Sequence, residues 1–148
     1  MKNYFTAPGL VLLLLAAASC HKDNDTQPSG KLTGKWSADS IVLLGYAGDQ
    51  LVESDTEHIQ PPDYLNLEFK SGNSFTINNS SQGSEEHQSG YYEIQGNTVL
   101  LGGTAEDPDK ETYSYQLNGS KLTLHATYTD TVSNQPLREE DYLYFHKQ

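Results

Sequence analysis

Apolar and polar residues alternate over most of the chain beyond its N-terminal segment, which is the pattern of strands that bury one face. Leu65, Leu67 and Phe69 alternate with polar neighbours, and the alternation resumes at Phe75 after the turn residues 71–73. The same succession of strand, Gly or Asn turn and strand continues towards the C-terminus. The pattern therefore predicts seven or eight short strands joined as antiparallel hairpins. The predicted strands are Gly34–Leu44, Leu65–Lys70, Phe75–Ile77, Tyr91–Gln95, Thr98–Leu101, Tyr113–Leu117, Lys121–Tyr128 and Asp141–Lys147.

The order of these strands predicts an all-β meander, since no segment has helical periodicity over three turns and no pattern repeats at a fixed interval. A closed barrel of about eight strands is favoured because closure removes exposed strand edges. A two-layer β-sandwich is the alternative. The intervals Tyr46–Tyr64, Asn78–Gly90 and Thr129–Glu140 show no alternation and are interpreted as long loops, which often carry function.

The N-terminus has the pattern of an export signal. Lys2 precedes a run of nine apolar residues, Leu10–Ala18, which is too short to span a bilayer. The small residues 17–19 stand directly before Cys20, and this arrangement resembles the lipobox of bacterial lipoproteins, in which the cysteine is acylated. The resemblance predicts a signal peptide over 1–19, a lipid anchor at Cys20 with a tether to residue 31, and a β domain over 32–148. An ordinary secretory cleavage site is the alternative.

The residues after Cys20 bear on location. His21-Lys22-Asp23-Asn24-Asp25 resembles the surface-export signal of lipoproteins in the Bacteroides group, and a chance acidic tether is the alternative. Residues 24–31 contain no apolar residue and are interpreted as a flexible linker. We therefore expect a lipid-anchored outer-membrane protein, and the export signal favours exposure on the cell surface.

Charge and cysteine content narrow the classes of partner. The chain has 9 Lys plus Arg against 20 Asp plus Glu, a formal net charge of −11. Such a chain repels nucleic acid and anionic lipid, so we expect no nucleic-acid partner and contact with the membrane only through the anchor. With a single cysteine, Cys20, neither a disulfide framework nor a multi-cysteine metal site can form.

The first strand opens with Leu32-Thr33-Gly34-Lys35-Trp36, and Gly-X-Trp at this place looks like the opening motif of lipocalins. The later segments Leu67-Glu68-Phe69, Tyr92-Glu93-Ile94 and Leu122-Thr123-Leu124 agree, so the chain is similar to the lipocalin-like domain of Bacteroides-group lipoproteins. The resemblance implies a barrel closed at one end by Trp36, a basic residue packed on that ring, for which Lys147 is available, and space for a ligand inside. It implies no settled activity.

The candidate ligand-binding residues are aromatic. Inward-facing rings stack on sugars or flat apolar molecules, but a Trp is also a core plug and Tyr is a good strand former with a polar tip. The interior volume separates a carrier from a filled barrel: the large residues Leu67, Phe69, Tyr92, Leu124 and Phe145 would fill the barrel if they met on its axis. The candidate residues are Trp36, Tyr92, Tyr113, Tyr115 and Tyr128.

Catalytic and metal-binding patterns are weak. There is no Gly-X-Ser-X-Gly elbow, and the histidines of the predicted domain lack metal-ligand spacing. Residues 107–111 alternate carboxylates as a calcium loop does, yet they lack the glycine and distant Glu of an EF-hand, which favours a solvated turn. We expect no enzyme, no metal and no cofactor. The leading hypothesis is a non-catalytic outer-membrane lipoprotein that binds a small apolar or amphiphilic ligand in the barrel, and the alternative is a filled barrel that contacts a protein or glycan through its loops.

Overall fold

The structure, a computed structural model, describes residues 32–107, 109–132 and 135–148. The predicted signal peptide, Cys20 and the tether lie outside these residues. The described part consists of strands and turns, and no helix in it is long and apolar enough to cross a membrane. The strands are β1 Gly34–Ala47, β2 Gln50–His58, β3 Tyr64–Phe69, β4 Ser74–Ser81, β5 Ser84–Gln95, β6 Thr98–Gly102, β7 Glu111–Asn118, β8 Lys121–Val132 and β9 Gln135–Lys147.

All nine strands belong to one antiparallel sheet in the order β2-β1-β3-β4-β5-β6-β7-β8-β9. The sheet closes on itself because β9 also pairs with β1, from Trp36 opposite Lys147 to Ala47 opposite Leu137. Eight strands therefore form a closed barrel, and β2 is an additional strand outside the closure. The predicted all-β meander closing into a small lipocalin-like barrel is confirmed, and the sandwich is not what forms.

The long strand β1 changes partner along its length. Its lower part, Gly34 to Ser37, pairs with β3, and its upper part, Ser40 to Ala47, pairs with β2. A register shift against β9 falls between Ala38 and Ser40, at the same level as this change. The barrel is consequently closed around the lower part of β1 and opens above it.

The three intervals predicted as loops are strands for most of their length. β2 lies within Tyr46–Tyr64, β4 and β5 extend through Asn78–Gly90 to a turn at 82–83, and β8 and β9 extend through Thr129–Glu140. The prediction was wrong because it relied on apolar alternation, and these segments have polar side chains on both faces. All nine residues of β2 are exposed, so no buried face marks the strand in the sequence.

The lower end of the barrel is sealed around Trp36, which is only 1% exposed. Its indole Nε1 donates to the carbonyl of Leu32 at 2.8 Å, and the Lys147 ammonium lies 5.3 Å from its ring centre. Gly34 permits this arrangement because its φ is +128° and an added Cβ would meet the Lys147 side chain at 3.1 Å. The Gly-X-Trp motif thus closes the barrel, and the implied contact of Lys147 with Trp36 is confirmed.

A second close approach lies on the barrel wall, where Gly90 of β5 packs against β4 and the end of β6. An added Cβ on Gly90 would stand 2.1 Å from the Gly102 carbonyl oxygen and 2.9 Å from the Phe75 ring. No side chain fits there, so glycine is needed for β4, β5 and β6 to approach this closely.

Above the closed part, four neighbouring strands continue as an open sheet, which we call the upper sheet. It consists of β2 with residues 40–47 of β1, 135–141 of β9 and 126–132 of β8. Its inner face continues the inside of the barrel, since Ile41 lies opposite Leu143, which packs on the core. The upper sheet is the part of the fold that positions the candidate site.

Candidate functional site

Three of the five predicted ligand residues belong to the filled core. Trp36, Tyr92 and Tyr115 are buried together with the large inward residues of the lower barrel. The hydroxyl of Tyr92 donates to the Lys70 carbonyl at 3.2 Å, and that of Tyr115 donates to the Gly96 carbonyl at 3.3 Å. Burial raises the pKa of Tyr115. Rings and hydroxyls that are already packed and bonded contribute to stability, and they offer a ligand little surface.

The packing of the lower barrel follows from the same residues. Leu67, Phe69, Leu124 and Phe145 are each at most 3% exposed, and the Phe69 ring meets the Tyr92 ring edge-on with centroids 4.9 Å apart. Such rings and aliphatic side chains fill an eight-stranded barrel. The large residues whose meeting on the axis separates a filled barrel from a carrier therefore occupy the interior of the closed part.

The other two predicted residues, Tyr113 and Tyr128, lie higher on the inner face. Tyr113 donates to Glu111 Oε2 at 2.6 Å, and burial followed by this bond raises its pKa. The Tyr128 hydroxyl interacts with that of Tyr113, and burial also raises the pKa of Tyr128. Tyr128 remains 45% exposed, so its ring is available to a ligand.

Tyr128 lines an open groove of about 390 Å³ on the inner face of the upper sheet. The volume is within the range of small-molecule sites. The apolar surface comes from Leu43, Val52 and Leu137, which are partly exposed on three adjacent strands. Such neighbouring apolar residues, rimmed by polar ones, are typical of a binding surface. We call this site the upper groove.

The upper groove is acidic. Four carboxylates line it, from Glu53 and Asp55 on β2, Asp130 on β8 and Glu139 on β9. Among the described lining residues Arg138 is the only base, and it is directed elsewhere: its Nε lies 3.2 Å from Glu140 Oε1 and its guanidinium lies 4.3 Å from the Tyr46 ring centre. The negative charge in the groove is therefore left largely without a compensating base.

Asp141 lies one step below the groove, opposite Leu43 of β1 and Ala126 of β8. Burial and then the neighbouring carboxylate of Glu139 raise its pKa. Its Oδ1 is buried and accepts no hydrogen bond from the described residues. The carboxylates in this part of the inner face thus repel one another, and a bound cationic group would reduce that repulsion.

A second depression, of about 480 Å³, lies outside the barrel beside Tyr91, Glu93 and Lys110. There Lys110 Nζ and Glu93 Oε2 are 3.4 Å apart, and bonds from Gln95 and Lys110 lower the pKa of Glu93. The charges of this depression neutralise each other, which makes it the weaker candidate. Across the described chain, no three His, Asp, Glu or Cys residues are grouped to hold a metal.

Asp107 lies in the turn of alternating carboxylates that resembles a calcium loop in the sequence. Its carboxylate accepts the backbone N–H groups of Gly103 at 2.8 Å and Asp109 at 3.0 Å, and these bonds lower its pKa. The carboxylate thus stabilises its own turn.

Sequence reasoning identified Tyr128 but missed the rest of the groove. Leu43, Val52, Leu137 and Glu139 were assigned to strand ends or loops, where single apolar residues carry no signal. The pairing register brings them together: β9 sets Glu139 opposite Gly45, and Gly45 lies opposite Glu53 on β2. Alternation continued from Trp36 and Ala38 would place Leu44 on the inner face. The register shift between Ala38 and Ser40 places Leu43 there instead, opposite Asp141, so the lining of the groove follows only from the register.

The fold and the groove define a small all-β barrel protein with a filled lower half and an open, acidic groove with an apolar floor. Comparison with models of known protein families and with curated proteins found no match.

Proposed function

We propose that this protein is a non-catalytic binding lipoprotein that takes a small amphiphilic ligand bearing a positive charge in the upper groove. The observation that carries the proposal is the combination, in one concave site, of partly exposed apolar side chains with four carboxylates. An apolar tail covers Leu43, Val52 and Leu137, and a cationic group lies among Glu53, Asp55 and Glu139. Because packed side chains fill the lower barrel, we place the ligand in the open groove and not in an enclosed cavity of the barrel.

The proposal includes an anchored location. We propose cleavage before Cys20, acylation of its thiol and amine, and residence at the outer membrane with the domain on the cell surface. The domain's first described residue, Leu32, packs at the closed end beside Trp36. The upper groove would then lie at the end of the barrel away from the tether, where a ligand from the medium has access.

Ligand binding is tested with three detergents that share one dodecyl chain, used below their micelle-forming concentrations. We expect saturable calorimetric binding of dodecyltrimethylammonium, weaker binding of the neutral maltoside and none of the sulfate. A sulfate that binds as well as the ammonium, or no binding of any of the three, would contradict the proposal.

The position of the site is tested with a matched pair of tyrosines. Tyr128 and Tyr91 are both 45% exposed, but only Tyr128 lines the upper groove. Tyr128→Ala should weaken ammonium binding about tenfold, whereas Tyr91→Ala should leave it unchanged. Equal effects of the two substitutions would place the ligand elsewhere.

The native ligand and the anchor are tested in the native envelope. Mass spectrometry of an organic extract of the purified protein should identify a stoichiometric cationic amphiphile that is absent from the Tyr128→Ala variant. The N-terminal peptide should carry acyl chains on Cys20, and Cys20→Ser should move the protein out of the membrane fraction. Digestion by protease in intact cells would support surface exposure.

A filled-barrel interaction module is the second candidate. The packed lower barrel favours it, as do the strands that project beyond the closure. A protein captured on the upper sheet, together with the absence of any extractable ligand, would favour this candidate over carriage.

A further inference from the structure

The outer edge of β2 is an open strand edge. Within the described chain β2 pairs with β1 alone, and it forms one end of the sheet order. It is nine residues long, contains no proline and is exposed along its whole length. An edge of this kind presents unpaired backbone N–H and C=O groups to an additional strand.

One edge donor shows the direction of these groups. The backbone N–H of Thr56 donates to Oδ1 of the neighbouring Asp55 at 2.8 Å, so it is satisfied within β2 and not by another strand. Because N–H and C=O groups of alternate residues point to the same side of a strand, those of Ser54 and His58 face the same open edge. An added strand would supply a carbonyl to Thr56 and thereby release the Asp55 carboxylate.

The side chains of β2 are sorted by face. Glu53, Asp55 and Glu57 lie on the inner face, opposite Gly45, Leu43 and Ile41 of β1. The residues between them, Ser54 and Thr56, are short and uncharged. Three carboxylates at every second position form a row along the edge, at the spacing of alternate side chains on a neighbouring strand.

This row favours one partner and disfavours another. A second copy that continued the same face with its own β2 would place carboxylates opposite carboxylates, which destabilises a strand pair. A strand with Lys or Arg at alternate positions would place a cation opposite each acid. Leu51 and Val52, which are 49% and 60% exposed at the upper end of β2, add apolar contact for such a strand.

We infer that β2 is a docking edge for an extended, basic protein segment, which adds to the upper sheet as a further antiparallel strand with its alternate basic side chains on Glu53, Asp55 and Glu57. The backbone ladder supplies affinity, and the alternation of charge supplies selectivity. This inference goes beyond the proposed groove ligand and does not depend on it.

The first test measures binding of a fluorescently labelled nine-residue peptide of alternating Lys and Thr to the full-length protein by anisotropy. The first control peptide has the same composition but carries its lysines consecutively. The second control has Glu in place of every Lys. We expect saturable binding of the alternating Lys peptide, at least tenfold weaker binding of the block peptide and none of the Glu peptide. Equal binding of the two Lys peptides, or no binding at millimolar peptide, would overturn the inference.

Two variants separate strand addition from attraction by charge. The triple variant Glu53→Gln, Asp55→Asn, Glu57→Gln should weaken binding at least tenfold. Thr56→Pro leaves every charge in place and removes an edge N–H that the ladder with β1 does not use, and it should weaken binding to a similar extent. An unchanged affinity in Thr56→Pro, with Trp36 emission and the urea midpoint like those of wild type, would overturn strand addition.

A measurement on the unaltered protein covers the case in which Thr56→Pro does not fold. Hydrogen exchange should show protection of the Ser54, Thr56 and His58 amides when the alternating Lys peptide binds. Unprotected amides in the saturated complex would overturn the inference. Analytical sedimentation of the protein without peptide should show a monomer, and a dimer in which these β2 amides are protected would also overturn the inference. Because Thr56 itself does not line the groove, loss of peptide binding with intact binding of dodecyltrimethylammonium separates this inference from the proposed function.

Discussion

Leu124 provides the sharpest test of a filled lower barrel. Its side chain is 2% exposed and lies between Tyr115 of β7 and Leu143 of β9. Leu124→Ala removes three carbons, which at about 0.8 kcal/mol each costs about 2.4 kcal/mol of transfer free energy. The vacated space, roughly 80 Å³ at about 24 cal/mol per Å³, adds up to about 2 kcal/mol if the neighbours do not close in.

We therefore expect Leu124→Ala to lower the free energy of unfolding by about 2.5–4 kcal/mol. Urea unfolding followed by the emission of Trp36, the chain's single tryptophan, measures this change. An unchanged dependence on urea concentration would indicate that the folded and unfolded states keep their compactness.

The matched control is Leu43→Ala, at a residue of the upper groove that is 37% exposed. It should cost at most about 1.5 kcal/mol, because more than a third of this residue already contacts water and an open groove leaves no enclosed cavity. A loss at Leu124 no larger than that at Leu43 would refute the reasoning, since it would mean that the lower barrel is hollow or hydrated.

Three further predictions concern single residues. Gly90→Ala should destabilise the fold by about 1–3 kcal/mol, because a Cβ cannot stand 2.1 Å from the Gly102 carbonyl oxygen; a midpoint like that of wild type in urea unfolding would contradict this close approach. Tyr92→Phe should cost about 1 kcal/mol, since the Lys70 carbonyl loses its donor; thermal unfolding measures this, and a gain in stability would show that the bond contributes nothing. Asp141→Asn should stabilise the protein at neutral pH by up to about 1 kcal/mol, because the folded state raises the pKa of this carboxyl. The gain should shrink as the pH falls through the folded-state pKa towards the ordinary Asp value, where wild type is also neutral; a gain that does not change with pH would contradict the assignment.

The lower barrel could be predicted from the sequence because its strands have two different faces. The alternation of Leu65, Leu67 and Phe69 is determined by burial on one side and water on the other. The turn residues between such segments then indicate hairpins, and the resemblance of Gly34-Lys35-Trp36 to the opening motif of lipocalins implies the closed end. Local pattern and global fold agree here, which is the condition under which pattern reasoning succeeds.

Most of the upper sheet could not be predicted from the sequence, because β2 and residues 127–131 of β8 are exposed on both faces. β2 carries Glu, Ser, Asp and Thr in succession and is a strand through its ladder with β1. Its stability comes from pairing and not from side-chain burial, so the sequence lacks the signal. The groove could not be predicted for a related reason. Leu43 and Leu137 are far apart in the chain, and only the pairing of β9 with β1 brings both into one groove.

The closure of β9 on β1 also governs how quickly the domain folds. Its contacts join residues that are remote in the chain: His146 bonds Asp39 across 107 residues, and Gln148 bonds Ser37 across 111. Every other barrel pairing, apart from that of β1 with β3, joins strands consecutive in the chain, so the meander can form step by step. The final ladder must wait for a loop that spans nearly the whole domain, and such closures are slow. Until it forms, β1 and β9 both have unpaired edges, and the partly folded chain is then most exposed to aggregation.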